Sequence, residues 1–444
     1  MNLNLKSYKG ALKFLCILML AVLVISLING YSYIFSISIV AISIIIYFFL
    51  AQDDLFNPAA VYSLFWLTGV GISNLRLSFD QKNWSLYVWI NIILAYVMFM
   101  AGYYYTKQKI KINNVFNIKK YKFSNERLYI AIVILTVLCI VAFSIEVAVL
   151  KFVPIFSSEM DAYKRFHISG IHYFVVTVGI IPSLTMVYKK NMGTKSIWHI
   201  NIIASLIPIL IVSRQLVLLA VILIVVTYNY LFKKVSFKIV SIISVIAIVA
   251  FSIASNLRHQ DISYIYRVSN MKTTSLSYLT QPYLYIAMSF ENLRNIIEDF
   301  HSYKFGMNML FPIFAFTNTK GFFDYSYKVD YLTNRNFTVS TYLSDIYFDF
   351  GIYGVIVITF LLGALHSYVY KFVIRKQHNM VTIHSLLSYC LIFSFFTTWY
   401  FNATIWFYTI VLLSINLFCN TSEDSKINNI IVKIESYLKG RILK

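Results

Sequence analysis

VPIFSSEMDAYKRFHISGIHYF, residues 153–174, sets Glu159, Asp161, Lys164, Arg165, His167 and His172 between two apolar runs. Each run is long enough to cross a bilayer, whose hydrocarbon layer of roughly 30 Å takes about 20 helical residues at about 1.5 Å each. Outward from this stretch the same alternation repeats along the chain. Twelve apolar spans are expected, near 11–29, 32–50, 58–75, 84–105, 128–150, 171–188, 197–212, 215–232, 236–255, 346–370, 383–400 and 402–419. The expected fold is all-α, a single polytopic membrane domain over 1–444.

Composition supports this reading. Of the 444 residues 59% are hydrophobic and 13% charged, too few charges to cover a soluble protein of this size. The first run carries Lys6, Lys9 and Lys13 in the manner of a signal sequence. A second span follows at once without a small-residue cleavage site, so a retained helix is expected. A net charge of +20 is explained by lysine in cytoplasmic loops, and no nucleic-acid partner is expected. Cys16, Cys139, Cys390 and Cys419 all fall inside spans, with no metal or disulfide spacing.

The basic residues fix a sidedness. Loop 106–127, Lys189/Lys190/Lys195, Lys233/Lys234/Lys238, Lys371/Arg375/Lys376 and the C-terminal tail all fall on one side, expected to be cytoplasmic together with both termini. Loops 151–170 and 256–341 then lie outside. Within the second, 278–297 is apolar on much of its surface yet holds Glu291 and Arg294, as a membrane-skimming or re-entrant helix would. A further crossing there would carry Lys371/Arg375/Lys376 to the wrong side.

Arginine and lysine part company across this boundary. Only Arg127, Arg375 and Arg441 lie with the basic loops, whereas Arg76, Arg165, Arg214, Arg258, Arg267, Arg294 and Arg335 lie outside. Guanidinium binds phosphate through paired hydrogen bonds and tolerates partial dehydration, which suits a lipid pyrophosphate at a bilayer edge. The plainer role is loop anchoring or pairing with Asp261, Glu291, Asp330 or Asp345. Arg165 and Arg214 are the strongest candidate site residues, Arg165 leading, and Arg214 lies at a turn without an acidic neighbour in sequence.

Several short motifs resemble one family. Pro154, Arg165 and Gly170 after a hydrophobic span, Ser213-Arg214-Gln215 opening a later one, and STYLSDIYFDFGIYGVIVITFLLG (340–363) after the large loop resemble the O-antigen polymerases, the Wzy-type oligosaccharide repeat-unit polymerases. LFNPAAVYSLFWL (55–67) fits the same pattern. The resemblance spans most of the chain and rests on order and topology. It implies a metal-independent glycosyltransferase with a multi-helix (GT-C-like) architecture and no cofactor, acting at the outer face of the bacterial cytoplasmic membrane. Its substrates would be undecaprenyl-pyrophosphate-linked glycans, with membrane lipids and a chain-length regulator as partners.

That chemistry asks for cations at the leaving pyrophosphate and a base or polar acceptor at the incoming hydroxyl. Arg165, Arg214, Arg258, His259 and Asp345 are the expected catalytic residues. His167, Asp261, Arg335 and Asp349 are expected to bind substrate. Arg258, His259 and Asp261 also read as an ordinary juxtamembrane cluster, and Asp349 as a helix-start carboxylate. The aromatics of 322–348 suit either sugar stacking or an interfacial belt. Asp53-Asp54, reminiscent of the acidic pair of metal-using transferases, falls on the cytoplasmic side and reads more simply as a helix cap. A lipid-linked-oligosaccharide flippase or transporter, or an O-antigen ligase, are the rival functions. A flippase would place its ionisable groups at mid-membrane.

Overall fold

The computed structural model describes all residues except 1–8, 53, 111–120, 160–161, 194–196, 258–261, 274–276, 376, 378–379 and 423–444. Its elements are nearly all helical: α1 Lys9–Ile28, α2 Ser32–Ala51, α3 Pro58–Ser73, α4 Leu86–Lys109, α5 Asn125–Leu150, α6 Ala162–Arg165, α7 His172–Val176, α8 Ile181–Met192, α9 Trp198–Leu210, α10 Arg214–Leu231, α11 Phe237–Leu257, α12 Ile262–Ser269, α13 Ser277–Asp299, α14 Phe311–Phe316, α15 Leu343–Ile374, α16 Met380–Ile392 and α17 Ala403–Cys419. One short antiparallel ribbon pairs β1 (Tyr121–Phe123) with β2 (Asn420–Ser422).

Among the described residues five helices, α2, α4, α5, α10 and α15, are long and apolar enough to cross a membrane. Much of α5 turns Ile134, Val137, Leu138 and Val141 outward, a surface that water does not tolerate and lipid does. Starts and ends follow local chemistry. Asn57 caps α3 by accepting from the Ala59 N–H, with Pro58 at the first helical position, and Ser85 and Ser124 cap α4 and α5.

The centre of the bundle is the contact between α4 and α15. Tyr87 meets Tyr347, Gly102 meets Phe360 and Lys371 Nζ donates to the Thr106 carbonyl at 2.6 Å, so the two helices run parallel. They touch backbone to backbone. A Cβ on Gly102 would fall into the Phe360 carbonyl and a Cβ on Gly363 into that of Phe99. Small residues permit this approach, and dispersion and weak Cα–H contacts make it favourable where no hydrophobic drive exists between helices in lipid.

The expected span at 346–370 proves to be a broken helix. Gly351, at φ 57° and ψ −145°, interrupts α15, a conformation that favours glycine. In a straight helix Ile346 and Gly354 would stand about 12 Å apart, yet a Cβ on Gly354 would lie 2.9 Å from the Ile346 carbonyl oxygen. Residues 343–350 therefore fold back along 352–374, and the two carbonyls freed by the break, Phe348 and Asp349, accept from the N–H groups of Lys304 and Phe305. The start of α15 ends up deep. Tyr342 OH lies 2.7 Å from Tyr62 OH, and the Tyr62 ring stacks on Phe99 in the middle of α4.

The expected span at 383–400 also departs from a continuous helix. α16 stops at Ile392, and 393–402 runs as turns and a single 3-10 turn before α17. This irregular stretch docks on the start of α15, the Tyr342 N–H donating to the Ser394 carbonyl at 3.0 Å. Non-helical backbone at such depth is stable only when protein surrounds it or a cavity borders it.

The helix ends sort to two ends of the bundle. At one, the ribbon joins the start of α5 to the end of α17, and Asp54 meets α10 and α15. At the other lie the α3–α4 turn, the 151–171 segment, the start of α10 and the long 300–342 segment. α13 lies across this loop-rich end. Tyr283 bonds to Leu77 and Gln81, Glu291 to Lys82 and Trp84, and Glu298 to Ser85, so the helix follows the α3–α4 turn along its length. Gly363→Leu should cost about 3 kcal/mol or more, because the clash is with backbone that cannot rotate away. A drop in the detergent melting temperature checks this, with the exposed Leu361→Ala changing it little.

Candidate functional site

The broken helix, the irregular 393–402 stretch and the 300–342 segment meet around one carboxylate. Asp345 lies in the first turn of 343–350, accepting from Lys328 Nζ at 2.6 Å on one oxygen and from Thr398 Oγ1 at 2.8 Å on the other. Its side chain is 9% exposed and that of Lys328 34%, so the pair reaches water from the lysine side. Above it stand aromatic rings and a second cation. Lys304 Nζ lies 4.7 Å over the Tyr327 ring, and Lys328 lies 5.7 and 5.8 Å over Tyr325 and Phe348. Burial first, then the Asp349 and Asp345 charges, raises the Tyr325 phenol above its ordinary range. Tyr327 is raised by burial as well, and both stay protonated donors.

Asp349, expected to bind substrate, has its carboxylate turned into the fold. It is fully buried and accepts from the Asn308 N–H, Asn308 Nδ2 and the Met309 N–H at 3.0, 2.8 and 2.7 Å. Tyr327 OH donates to the Asn308 side-chain Oδ1 at 2.8 Å. Asp349 thus ties the 304–309 turn to the break in α15, and the adjacent Gly351 makes that break.

Arg165 ends α6 with its side chain 60% exposed, paired with Glu159 of the same segment. Glu146 of α5 holds this segment from below. It is buried and accepts from the Ile168 N–H at 2.9 Å and from His172 Nδ1 at 3.0 Å, pinning the segment to α5. His167 is exposed, its Nδ1 on the Lys164 carbonyl. Tyr173 packs on Phe316 and Phe407 at 5.6 and 5.4 Å, which places the Arg165 segment beside α14 and the start of α17.

Arg214 is buried at the start of α10. Ser213 caps that helix, whose next turns pack Leu216 and Leu219 on Gly179 just after the Arg165 segment. Arg294 belongs to a structural ion-pair set, Glu291 and Glu298 each at 2.6 Å. Arg335 is exposed on the loop-rich end and makes no ion pair among the described residues. Arg258, His259 and Asp261 lie outside the described residues, as does Asp53. Lys304, Lys328 and Thr398 are the site residues that sequence reading missed; two lysines on the arginine-rich side were the available signal.

A chemically distinct set lies at the other end. Asp54 accepts from Tyr370 OH at 2.6 Å and Tyr230 OH at 2.8 Å, with Lys234 Nζ 3.5 Å away. It is a tertiary tie between the α2–α3 turn, α10 and α15 rather than a helix cap. Replacing Asp54 with Ala leaves two buried hydroxyls without their acceptor and should cost about 2–4 kcal/mol, read as a lowered melting temperature. Comparison of the chain with protein-family models, with curated proteins and with solved structures finds no match.

Proposed function

We propose that the protein is a membrane-embedded glycosyltransferase that polymerises undecaprenyl-pyrophosphate-linked repeat units into a surface polysaccharide, with the loop-rich end facing outward. The observation that carries this reading is the Asp345–Lys328–Thr398 constellation. It sets a shielded carboxylate beside a lysine, under a rim of rings and a second cation, at the end where the chain has its long loops.

The reaction divides the roles. The acceptor hydroxyl attacks the anomeric carbon, the bond from that carbon to the pyrophosphate oxygen breaks, and undecaprenyl pyrophosphate leaves with the electron pair. Asp345 takes the proton of the hydroxyl, a role a carboxylate near 3 Å fills without large movement. Lys328 and Lys304 stabilise the negative charge that grows on the leaving oxygen. Tyr325 and Tyr327 offer faces to sugar rings. Arg165 can exchange Glu159 for a phosphate at small cost, since an exposed ion pair is worth at most about 1 kcal/mol. Arg214, Arg258 and Arg335 remain pyrophosphate candidates, with His167, His259 and Asp261 as polar contacts.

A flippase is favoured by one observation, the break in α15 and the non-helical 393–402 stretch inside the bundle, a device transporters use to build binding sites. Genetics separates the two. Deleting the gene should abolish polymer while single repeat units still reach the surface; loss of all surface glycan points to a flippase or ligase. Asp345→Asn should cut polymer formation about 100-fold or more at unchanged protein level, and Lys328→Met should act alike. Full-length ladders on glycan gels from both variants would overturn the site assignment.

A further inference from the structure

Buried polar groups continue from the candidate site through the middle of the bundle. Thr398 is followed two residues on by Tyr400, whose hydroxyl lies 2.8 Å from His366 Nε2. The Tyr400 ring also meets Tyr342 at 5.9 Å, and Tyr342 lies one turn before Asp345. His366 stands one turn above Tyr370 on α15, on the same face. His384 of α16 packs against the Tyr370 and Tyr230 rings at 5.5 and 5.1 Å, and both tyrosines donate to Asp54. Lys234, 57% exposed, opens that end to solvent as Lys328 opens the other.

His366 and His384 are both fully buried. Phe99 and Tyr400 pack on His366, which also lies within electrostatic reach of His384, while His384 faces Tyr230, Tyr370, the Phe56 backbone and the Asp54 charge. Among the described residues several buried side-chain polar atoms lack a close hydrogen-bond partner, and His366 Nδ1, Ser394 Oγ and Trp399 Nε1 lie here, with His384 reaching no more than the Phe56 backbone. Each such atom costs about 1–3 kcal/mol. Structure alone would be better served by apolar side chains of the same size. Intramembrane ionisable groups that persist at this cost mark ion or proton paths.

We propose that these groups form a proton relay joining the two ends of the bundle: Asp345 and Thr398, Tyr400, His366, His384, Tyr370 and Asp54. Tyr400–His366 and Tyr370–Asp54 are direct hydrogen bonds in this series, whereas Thr398 and Tyr400, His366 and His384, and His384 and Tyr370 are neighbours without one. A neutral imidazole can accept on one nitrogen and donate from the other, and a hydroxyl accept while donating, so side-chain rotation at those three steps would let a proton enter at one end as another leaves at the far end. Atoms balance without any oxidant or co-reactant. The driving force is a proton gradient or a membrane potential. The inference is independent of the glycan chemistry, since it needs no substrate.

The test uses purified full-length protein in liposomes with a trapped pH dye and a potassium diffusion potential set by valinomycin. Proton entry should exceed that of protein-free vesicles. His366→Leu should return it to the protein-free rate, and Tyr400→Phe, which removes one oxygen atom, should reduce it. His199→Ala, exposed on α9 and outside the relay, should leave it unchanged. Wild-type vesicles no faster than protein-free ones, or undiminished flux in both relay variants, overturns the proposal. If His366→Leu elutes as aggregate, Tyr400→Phe decides alone. No glycan is present, so polymer loss without flux, or flux without polymer loss, tells the two proposals apart.

Discussion

Gly102 and Gly363 bring α4 and α15 into backbone contact, and most of the interior is arranged around that crossing. Because neither residue has a side chain, Phe360 and Phe99 carbonyls occupy space that any other residue would fill. The helices then run parallel through the bundle with their aromatic faces turned to α3 on one side and to the 393–402 stretch on the other. Tyr62, Phe99, Tyr342 and Trp66 interlock there as stacked and edge-on rings. In lipid, close packing of this kind replaces the hydrophobic drive that would assemble helices in water.

The break at Gly351 works because that crossing holds the descending half of α15 in place. The 343–350 half can fold back only if its freed carbonyls find donors and its start finds a buried partner. Lys304 and Phe305 supply the first, the Ser394 carbonyl the second, and Asp349 locks the turn between them. The result is a largely buried carboxylate held between the 300–342 segment and the 393–402 stretch, with polar side chains further in. A chain of unbroken helices would have left neither.

The two ends carry similar electrostatics. Asp345 and Asp54 are each held by one lysine and by hydroxyl donors, and each lysine is the water-facing member of its pair. Charge therefore sits where it can be hydrated, while neutral donors and acceptors occupy the span between. That arrangement limits the desolvation cost of a polar interior.

Much of the helical layout is legible in sequence, because apolar length and lysine placement are local properties. The helices begin and end close to the apolar runs, the caps at Asn57, Ser85 and Ser124 are visible as residue types, and a chain this apolar with so few charges requires lipid. The candidate site is legible only in part. Asp345 stands out as a carboxylate at a span edge, but its partners Lys328 and Thr398 lie 17 and 53 residues away, and no local pattern links them. Asp349 and Gly351 are conspicuous as a pair, yet whether they serve substrate or a turn depends on Asn308. Hydropathy counts residues along the chain and does not record depth. That 346–370 doubles back and that 383–400 unwinds were decided by the tertiary structure, where buried backbone must find hydrogen-bond partners and only a few surroundings supply them.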